Sequence, residues 1–218
     1  MKIMGIFLWA MLASWWQLHP GIAAEPAEGY YPLKPGMVWE YTVVSSKAGT
    51  SKITIKNQEP REVEGTKVTP REWHTGSGVR HILVAKDDFG VYRYGEQDPK
   101  DAKPVVTKPK VYYLREPVDR GTNWEMVTKM GERPLKVSLT VENIHDAVTV
   151  PAGTFQDCVK IKHEGEGSGE SDRSLTLTAY EWYAPGAGLV KSLVTIKEGG
   201  NGDKPAETLT YTLDSLKR

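Results

Sequence analysis

Apolar and polar residues alternate with a period of two along most of the chain after residue 30. The alternating segments are rich in β-branched and aromatic residues, which favour strands over helices. About eleven segments are therefore predicted as strands: MVWEYTVV, SKITIK, VRHILVAK, GVYRYG, KVYYLRE, NWEMVTK, LKVSLTVEN, DCVKIKH, SLTLTAYEWY, LVKSLVTIK and ETLTYTLDSL.

Short turn-forming stretches such as DDFG, DRGTN and APGAG separate these segments. Tight turns join antiparallel strands, whereas parallel strands need crossover connections of about a dozen residues or more. Residues 25–218 are therefore predicted to form a single all-β domain with an antiparallel meander. Because no amphipathic helix is available to cover an apolar face, we expect the sheet to curve into a half-barrel or a lipocalin-like barrel, with a β-sandwich as the alternative.

The alternation also assigns side chains to the two faces of the sheet. The segment 95–110, GEQDPKDAKPVVTKPK, breaks the pattern with three prolines and four lysines and predicts a loop or an edge segment. The predicted apolar face contains three groups: Trp39, Tyr41 and Val43; Val137, Leu139 and Val141; and Leu209, Tyr211 and Leu213.

Residues 1–24 have the layout of a secretory signal peptide. One lysine precedes the apolar run 3–16, and small residues allow cleavage after Ala23 or Ala24. The run is shorter than the ~20 apolar residues that a membrane-spanning helix needs. We therefore expect an exported, soluble protein without a transmembrane span.

The charge balance argues against nucleic acid as a partner. Loss of residues 1–24 would remove Lys2 alone and leave 27 basic residues against 28 acidic ones. A nearly neutral chain lacks the positive field that phosphate backbones require. The remaining 194 residues are enough for a domain that needs no disulfide.

Cys158 is the single cysteine and follows the turn in TVPAGTFQDCVKI. Simple alternation places Cys158 on the side of Lys160, away from Val159, where an ammonium would favour the thiolate. His163, the nearest base in sequence, has the opposite parity, and a bulge at the turn would reverse the register. A reactive thiol, a structural thiol and an intermolecular disulfide all remain open.

Two clusters combine aromatic rings with a carboxylate, VWEY at 38–41 and YEWY at 180–183. Such clusters suggest a glycan site, since glycoside hydrolysis uses paired carboxylates. Alternation turns Glu40 and Glu181 away from their aromatic neighbours, which favours core aromatics beside exposed acids. The candidate residues for binding an apolar ligand on the sheet face are Trp39, Tyr41, Tyr180 and Trp182.

No pattern predicts a metal or a cofactor. The histidines at 74, 81, 145 and 163 lack ligand spacing, and EGEGSGESDR lacks the ligand order of a calcium loop. The sequence has no nucleophile elbow, P-loop or dinucleotide fingerprint.

Three motifs span most of the chain: YPLxxGxxWxY at 31–41, VPAGxFxxC at 150–158 and WYAxGxGLVK at 182–191. Together they resemble a group of secreted bacterial proteins and lipoproteins without an agreed activity. The resemblance implies a bacterial envelope or secreted β-protein and supplies no catalytic residues. Many members of the group look lipid-anchored, whereas the cleavage region here has no cysteine to acylate.

These observations predict a non-catalytic, periplasmic or secreted bacterial protein that binds a lipid-like or small apolar ligand, or an envelope protein. Two alternatives remain. One is an envelope enzyme that depends on Cys158 or acts on glycans through Glu40 or Glu181. The other is an assembly subunit that uses exposed strand edges.

Overall fold

The computed structural model describes residues 27–130, 133–168, 174–199 and 205–218. The expected signal peptide, residues 1–24, lies outside the described residues. One helical turn is followed by thirteen strands. The elements are α1 (Ala27–Tyr30), β1 (Val38–Ser45), β2 (Gly49–Asn57), β3 (Arg61–Val63), β4 (Thr66–Thr75), β5 (Gly78–Asp87), β6 (Gly90–Gln97), β7 (Val105–Arg115), β8 (Asn123–Met130), β9 (Arg133–Val150), β10 (Gly153–Ser168), β11 (Ser174–Ala184), β12 (Gly188–Glu198) and β13 (Glu207–Lys217).

The strands form an antiparallel sheet that closes almost completely on itself. Its order is β7-β6-β5-β4-β2-β1-β13-β12-β11-β10-β9-β8, and β3 pairs with β4 beside this path. Within the described residues β7 and β8 share no ladder, but Trp124 Nε1 donates a hydrogen bond to the Tyr112 carbonyl oxygen at 3.1 Å across this seam. The predicted meander is therefore confirmed as a nearly closed barrel with one seam.

The turns between antiparallel neighbours alternate between the two ends of the barrel. The β1–β2 and β4–β5 turns lie at one end, called here the open end. The segment 30–37 and the β11–β12 turn lie at the other, the closed end, where the Gly186 amide donates to the Gly29 carbonyl oxygen at 2.7 Å. Gly36, at φ +78°, allows the chain to turn into β1.

The core lies on the inward faces of the strands, as the alternation predicted. Val137, Leu139 and Val141 of β9 are each 1% exposed. Of the nine residues predicted for the apolar face, seven are buried, whereas Leu209 and Tyr211 are half-buried.

The sequence patterns missed two strands. β3 has only three residues, and β4 contains Pro70 within four consecutive buried residues instead of a clean alternation. Within the segment 95–110, residues 105–110 belong to β7, the edge strand at the seam, as the edge alternative predicted, whereas residues 95–97 are the end of β6.

Candidate ligand site in the barrel interior

Near the open end, several inward side chains are apolar and only partly buried. Val194 of β12 pairs with Ala179 of β11 and with Leu209 of β13. Ala179 is buried, which identifies this row as inward-facing, yet Val194 and Leu209 retain accessible surface. A close-packed interior leaves apolar side chains little accessible surface. We call the barrel interior at this end the lumen and its partly exposed apolar lining the wall, which consists of Ile53, Met126, Leu177, Val194, Ile196 and Leu209.

Three tyrosine rings lie at the bottom of the lumen, towards the closed end. Tyr31 stacks on Tyr113 of β7, with ring centroids 5.0 Å apart and an interplanar angle of 6°. The Tyr183 ring of β11 lies 6.1 Å from the Tyr31 ring. Burial raises the pKa of each hydroxyl, so all three are protonated at neutral pH. We call these rings the floor.

A buried cation lies beside the floor. Arg71 of β4 is 6% exposed, and its guanidinium carbon lies 4.4 Å from the Tyr31 ring centroid and 4.5 Å from that of Trp39. Its Nε donates a hydrogen bond to Asn57 Oδ1 at 2.8 Å. The two rings and the amide therefore hold the guanidinium in one orientation.

A carboxylate also faces the lumen. Glu181 of β11 accepts a hydrogen bond from the Tyr183 hydroxyl at 2.6 Å and lies 3.3 Å from His163 Nε2. Burial acts to raise the pKa of Glu181, but His163 and the Tyr183 hydroxyl outweigh this effect and bring the pKa below its usual value. Glu181 is therefore ionised at neutral pH, and its side chain is 22% exposed.

The four predicted ligand residues do not share one face of the sheet. Trp39 and Tyr41 are buried near the closed end. Trp39 Nε1 donates to the Ala187 carbonyl oxygen at 2.6 Å, and the Tyr41 hydroxyl donates to that of Leu189 at 2.7 Å. Both side chains therefore tie β1 to the start of β12.

Tyr180 and Trp182 lie on the outer face instead. Glu181 pairs with the fully buried Ile161, so its aromatic neighbours must point outward. The Lys160 ammonium lies 4.5 Å from the Tyr180 ring centroid and 5.6 Å from that of Trp182. The expectation of core aromatics beside an exposed acid is wrong for this cluster, because the acid faces the interior.

An outer groove of about 530 Å³ lies beside this aromatic pair and is lined in part by Lys160 and Asp146. Two of its charged groups, Lys160 and Asp146, are engaged with their neighbours, whereas Arg120 in the same lining is exposed. Lys160 Nζ lies 2.9 Å from Glu142 Oε2, and Asp146 accepts hydrogen bonds from Trp182 Nε1 at 2.8 Å and from Asn143 Nδ2 at 2.5 Å.

Cys158 is fully buried, so simple alternation, which placed it on the side of Lys160, fails here, and the bulge considered at the turn is present. Register shifts flank Cys158 in the β9–β10 ladder, and Asp157 has φ +53°. This bulge brings Cys158 into a core cluster with Val148, and the thiol donates a weak hydrogen bond to the Phe155 carbonyl oxygen at 3.6 Å. Burial, together with nearby aspartates, raises the pKa of the thiol to about 11, whereas nucleophilic thiols have a lowered pKa.

The two carboxylates considered for glycan hydrolysis lie on opposite faces of the sheet. Glu40 points outward and accepts a hydrogen bond from Ser215 Oγ at 2.7 Å, whereas Glu181 faces the lumen. A glycosidase needs both carboxylates beside the same bond. Glu40 and Glu181 do not form such a pair.

Sequence reasoning missed the most polar part of this interior. Arg71 and Trp73 lie on β4. Pro70 and the lack of a regular apolar–polar alternation concealed this strand in the sequence. The signal was present in REWHT, since Arg71 and Trp73 are two residues apart and share a face. Nothing in the sequence indicated that His163 lies beside Glu181, with Nε2 at 3.3 Å from the carboxylate.

The described ranges lack two further features. They contain no group of three or more His, Cys, Asp or Glu residues that could hold a metal ion. In the same ranges, no helix has the length and apolar character needed to cross a membrane.

The fold is that of an all-β, barrel-like protein whose inward apolar side chains near the open end are only partly buried. The family model described as DUF3108-like matches residues 120–199, from the turn before β8 to just past β12, which is less than half of the chain. That region includes Cys158, His163 and Glu181 but not Trp39 or Arg71.

Two solved structures are similar to the chain. One is a candidate lipoprotein from Parabacteroides distasonis, with 20% identity and a TM-score of 0.48. The other is a candidate exported protein with a YmcC-like fold from Bacteroides fragilis, with 16% identity and a TM-score of 0.49. Each similarity covers 86% of this chain and 98% of the other. A comparison with curated proteins gives no significant match.

Proposed function

We propose that this chain is a non-catalytic, periplasmic or secreted bacterial protein whose lumen binds an apolar or amphipathic ligand. The observation that carries the proposal is the wall, where inward apolar side chains remain only partly buried although they point into a barrel. Ligand sites are typically concave and mostly apolar, with a few polar groups that orient the ligand. The wall and the polar groups beside the floor have this composition. The proposed export rests on the signal-peptide pattern of residues 1–24.

The residues considered for catalysis support a binding role over an enzymatic one. A buried thiol with a raised pKa is a poor nucleophile, and two carboxylates on opposite faces cannot act on one glycosidic bond. Glu181 is ionised and hydrogen-bonded to a tyrosine, which suits it to orient polar groups.

A tryptophan introduced into the wall tests this function. Val194→Trp places a large ring in the lumen, whereas Val44→Trp places the same ring on the outer face of β1, where Val44 is 48% exposed. If the lumen is an open ligand site, Val194→Trp should fold and bind the neutral fluorophore aminoanthracene at least about tenfold more weakly, because the ring occupies the site. Val44→Trp should bind like the wild type.

Fluorescence titration gives the dissociation constants, and thermal unfolding followed by circular dichroism reports folding. If the interior is close-packed instead, the larger side chain will not fit, and the free energy of unfolding of Val194→Trp should fall by about 1–3 kcal/mol or more. Loss of folding in Val194→Trp alone, or unchanged binding in a folded Val194→Trp, would contradict the proposed site.

A further inference from the structure

The lumen contains a cation without an acidic partner. Among the described residues no carboxylate oxygen lies within 4.0 Å of the Arg71 guanidinium nitrogens. Arg93, in contrast, lies 2.7 Å from Glu96, and Glu181 lies 3.3 Å from His163. A buried charge without a partner is unfavourable, and stacking on Tyr31 and Trp39 offsets only part of that cost.

The same interior also has unpaired hydrogen-bond donors. Trp73 Nε1 and Arg93 Nε are buried, and neither has a hydrogen-bond acceptor in the described structure. Trp73 is two residues from Arg71 on the inward face of β4, which corresponds to about 6–7 Å along the strand. Buried polar groups are nearly always hydrogen-bonded, so two unpaired donors beside an unpaired cation indicate a missing acceptor.

The position of Arg71 suits an oxyanion. Its Nε is engaged by Asn57, whose own Nδ2 donates to the carbonyl oxygens of Pro32 at 3.1 Å and Lys34 at 3.0 Å. The Tyr31 and Trp39 rings cover the faces of the guanidinium, so further hydrogen bonds must lie in its plane. The planar N–H groups of an arginine match the two oxygens of one acid group. The protonated Tyr31 hydroxyl supplies a further donor beside it.

We propose that Arg71 is the head-group site of the lumen, and that the ligand is an amphiphile with a singly charged oxyacid head on an apolar tail. This proposal rests on the proposed function and specifies the class of ligand. The head lies beside Arg71 and Trp73, and the tail runs along the wall towards the open end. Glu181 selects against heads with a second negative charge, because its own charge faces the same interior.

A series of ligands with the same tail tests the head group. Decanoate, decanol and decylphosphonate are titrated against bound aminoanthracene at pH 8, below their micelle concentrations, using the full mature chain. For the wild type, decanoate should bind at least about tenfold more tightly than decanol, because a charge-assisted pair replaces an unpaired buried cation. Tighter binding of decylphosphonate than of decanoate would contradict the singly charged head, because a phosphonate carries much of a second negative charge at pH 8.

Variants of Arg71 test whether this residue causes the preference for decanoate over decanol. In Arg71→Met the ratio of decanol to decanoate dissociation constants should fall to about one, with decanol binding unchanged. Lys191→Met removes a cation that lies 5.6 Å from the outward Trp182 ring, and should keep the wild-type ratio. Arg71→Lys keeps the charge but loses the planar guanidinium, so its ratio of decanol to decanoate dissociation constants should lie between one and the wild-type value. This variant replaces Arg71→Met if Arg71→Met does not fold.

The outcomes separate the two proposals. Equal binding of decanoate, decylphosphonate and decanol by the wild type would overturn the head-group site and leave the proposed function standing. Binding of none of them, together with no aminoanthracene binding, would overturn the proposed function itself. A folded Arg71→Met that keeps the wild-type ratio would show that Arg71 is a structural residue only.

Discussion

The Cys158 thiol should react with a chromogenic disulfide reagent at pH 7 at least about a hundred times more slowly in the native chain than in denaturant. Two effects act in the same direction. Raising the pKa from 9.0 to about 11 lowers the thiolate fraction at neutral pH about a hundredfold, and the side chain has no accessible surface. Because the pKa is raised, the reaction should accelerate about tenfold per pH unit up to that value, provided that the fold persists.

The chain is its own control, since Cys158 is its only cysteine and all released chromophore reports on one site. Stopped-flow measurements over the pH range 7 to about 9 give the reaction rates of the thiol in native buffer and in guanidinium chloride. Native and denatured rates within a factor of a few would mean that the thiol is accessible. That result would restore the reactive-thiol hypothesis and leave intermolecular disulfide formation open.

Trp39→Ala should lower the free energy of unfolding by about 3–5 kcal/mol, the range for removing a large buried aromatic ring. Trp39 is 1% exposed, its Nε1 bonds the Ala187 carbonyl oxygen, and Arg71 stacks on its ring. The substitution removes all three contributions and leaves a cavity between β1 and the β11–β12 turn. Trp39→Phe keeps part of the ring but removes the hydrogen bond, so we expect a loss of about 1–3 kcal/mol.

Denaturant unfolding followed by far-ultraviolet circular dichroism measures these changes without relying on tryptophan emission. Val44→Ala, on the same strand with the side chain outward, should change stability by no more than about 0.5 kcal/mol. If Trp39→Ala costs no more than Val44→Ala, the packing around Trp39 described above is wrong.

Much of the fold could be predicted because period-two alternation is a direct consequence of strand geometry. On β9, Val137, Leu139 and Val141 alternate with polar neighbours, and all three are buried. Tight turns between such segments then imply antiparallel neighbours, and the absence of a covering helix implies closure. These local rules were enough to predict a curved, barrel-like meander.

The interior site could not be predicted in the same way, because it depends on which side of each strand faces inward. A bulge adds one residue and reverses the parity, as happens at Cys158. For Glu181, alternation correctly separated the acid from Tyr180 and Trp182, but only the pairing with Ile161 shows that the acid lies inside. Arg71 was hidden because Pro70 interrupts the strand signal.

The pairing of β1 with β13 joins the two most distant strands of the sequence, with Val38 opposite Lys217 and Ser45 opposite Leu209. Contacts between such distant residues are slow to form, since the chain must lose much of its entropy before they are made. Until β13 docks, β1 has an unpaired edge and the lumen lacks one side. If the lumen binds the proposed ligand, only the completed barrel offers the whole site, so the binding free energy stabilises the native state and not the partly folded chains.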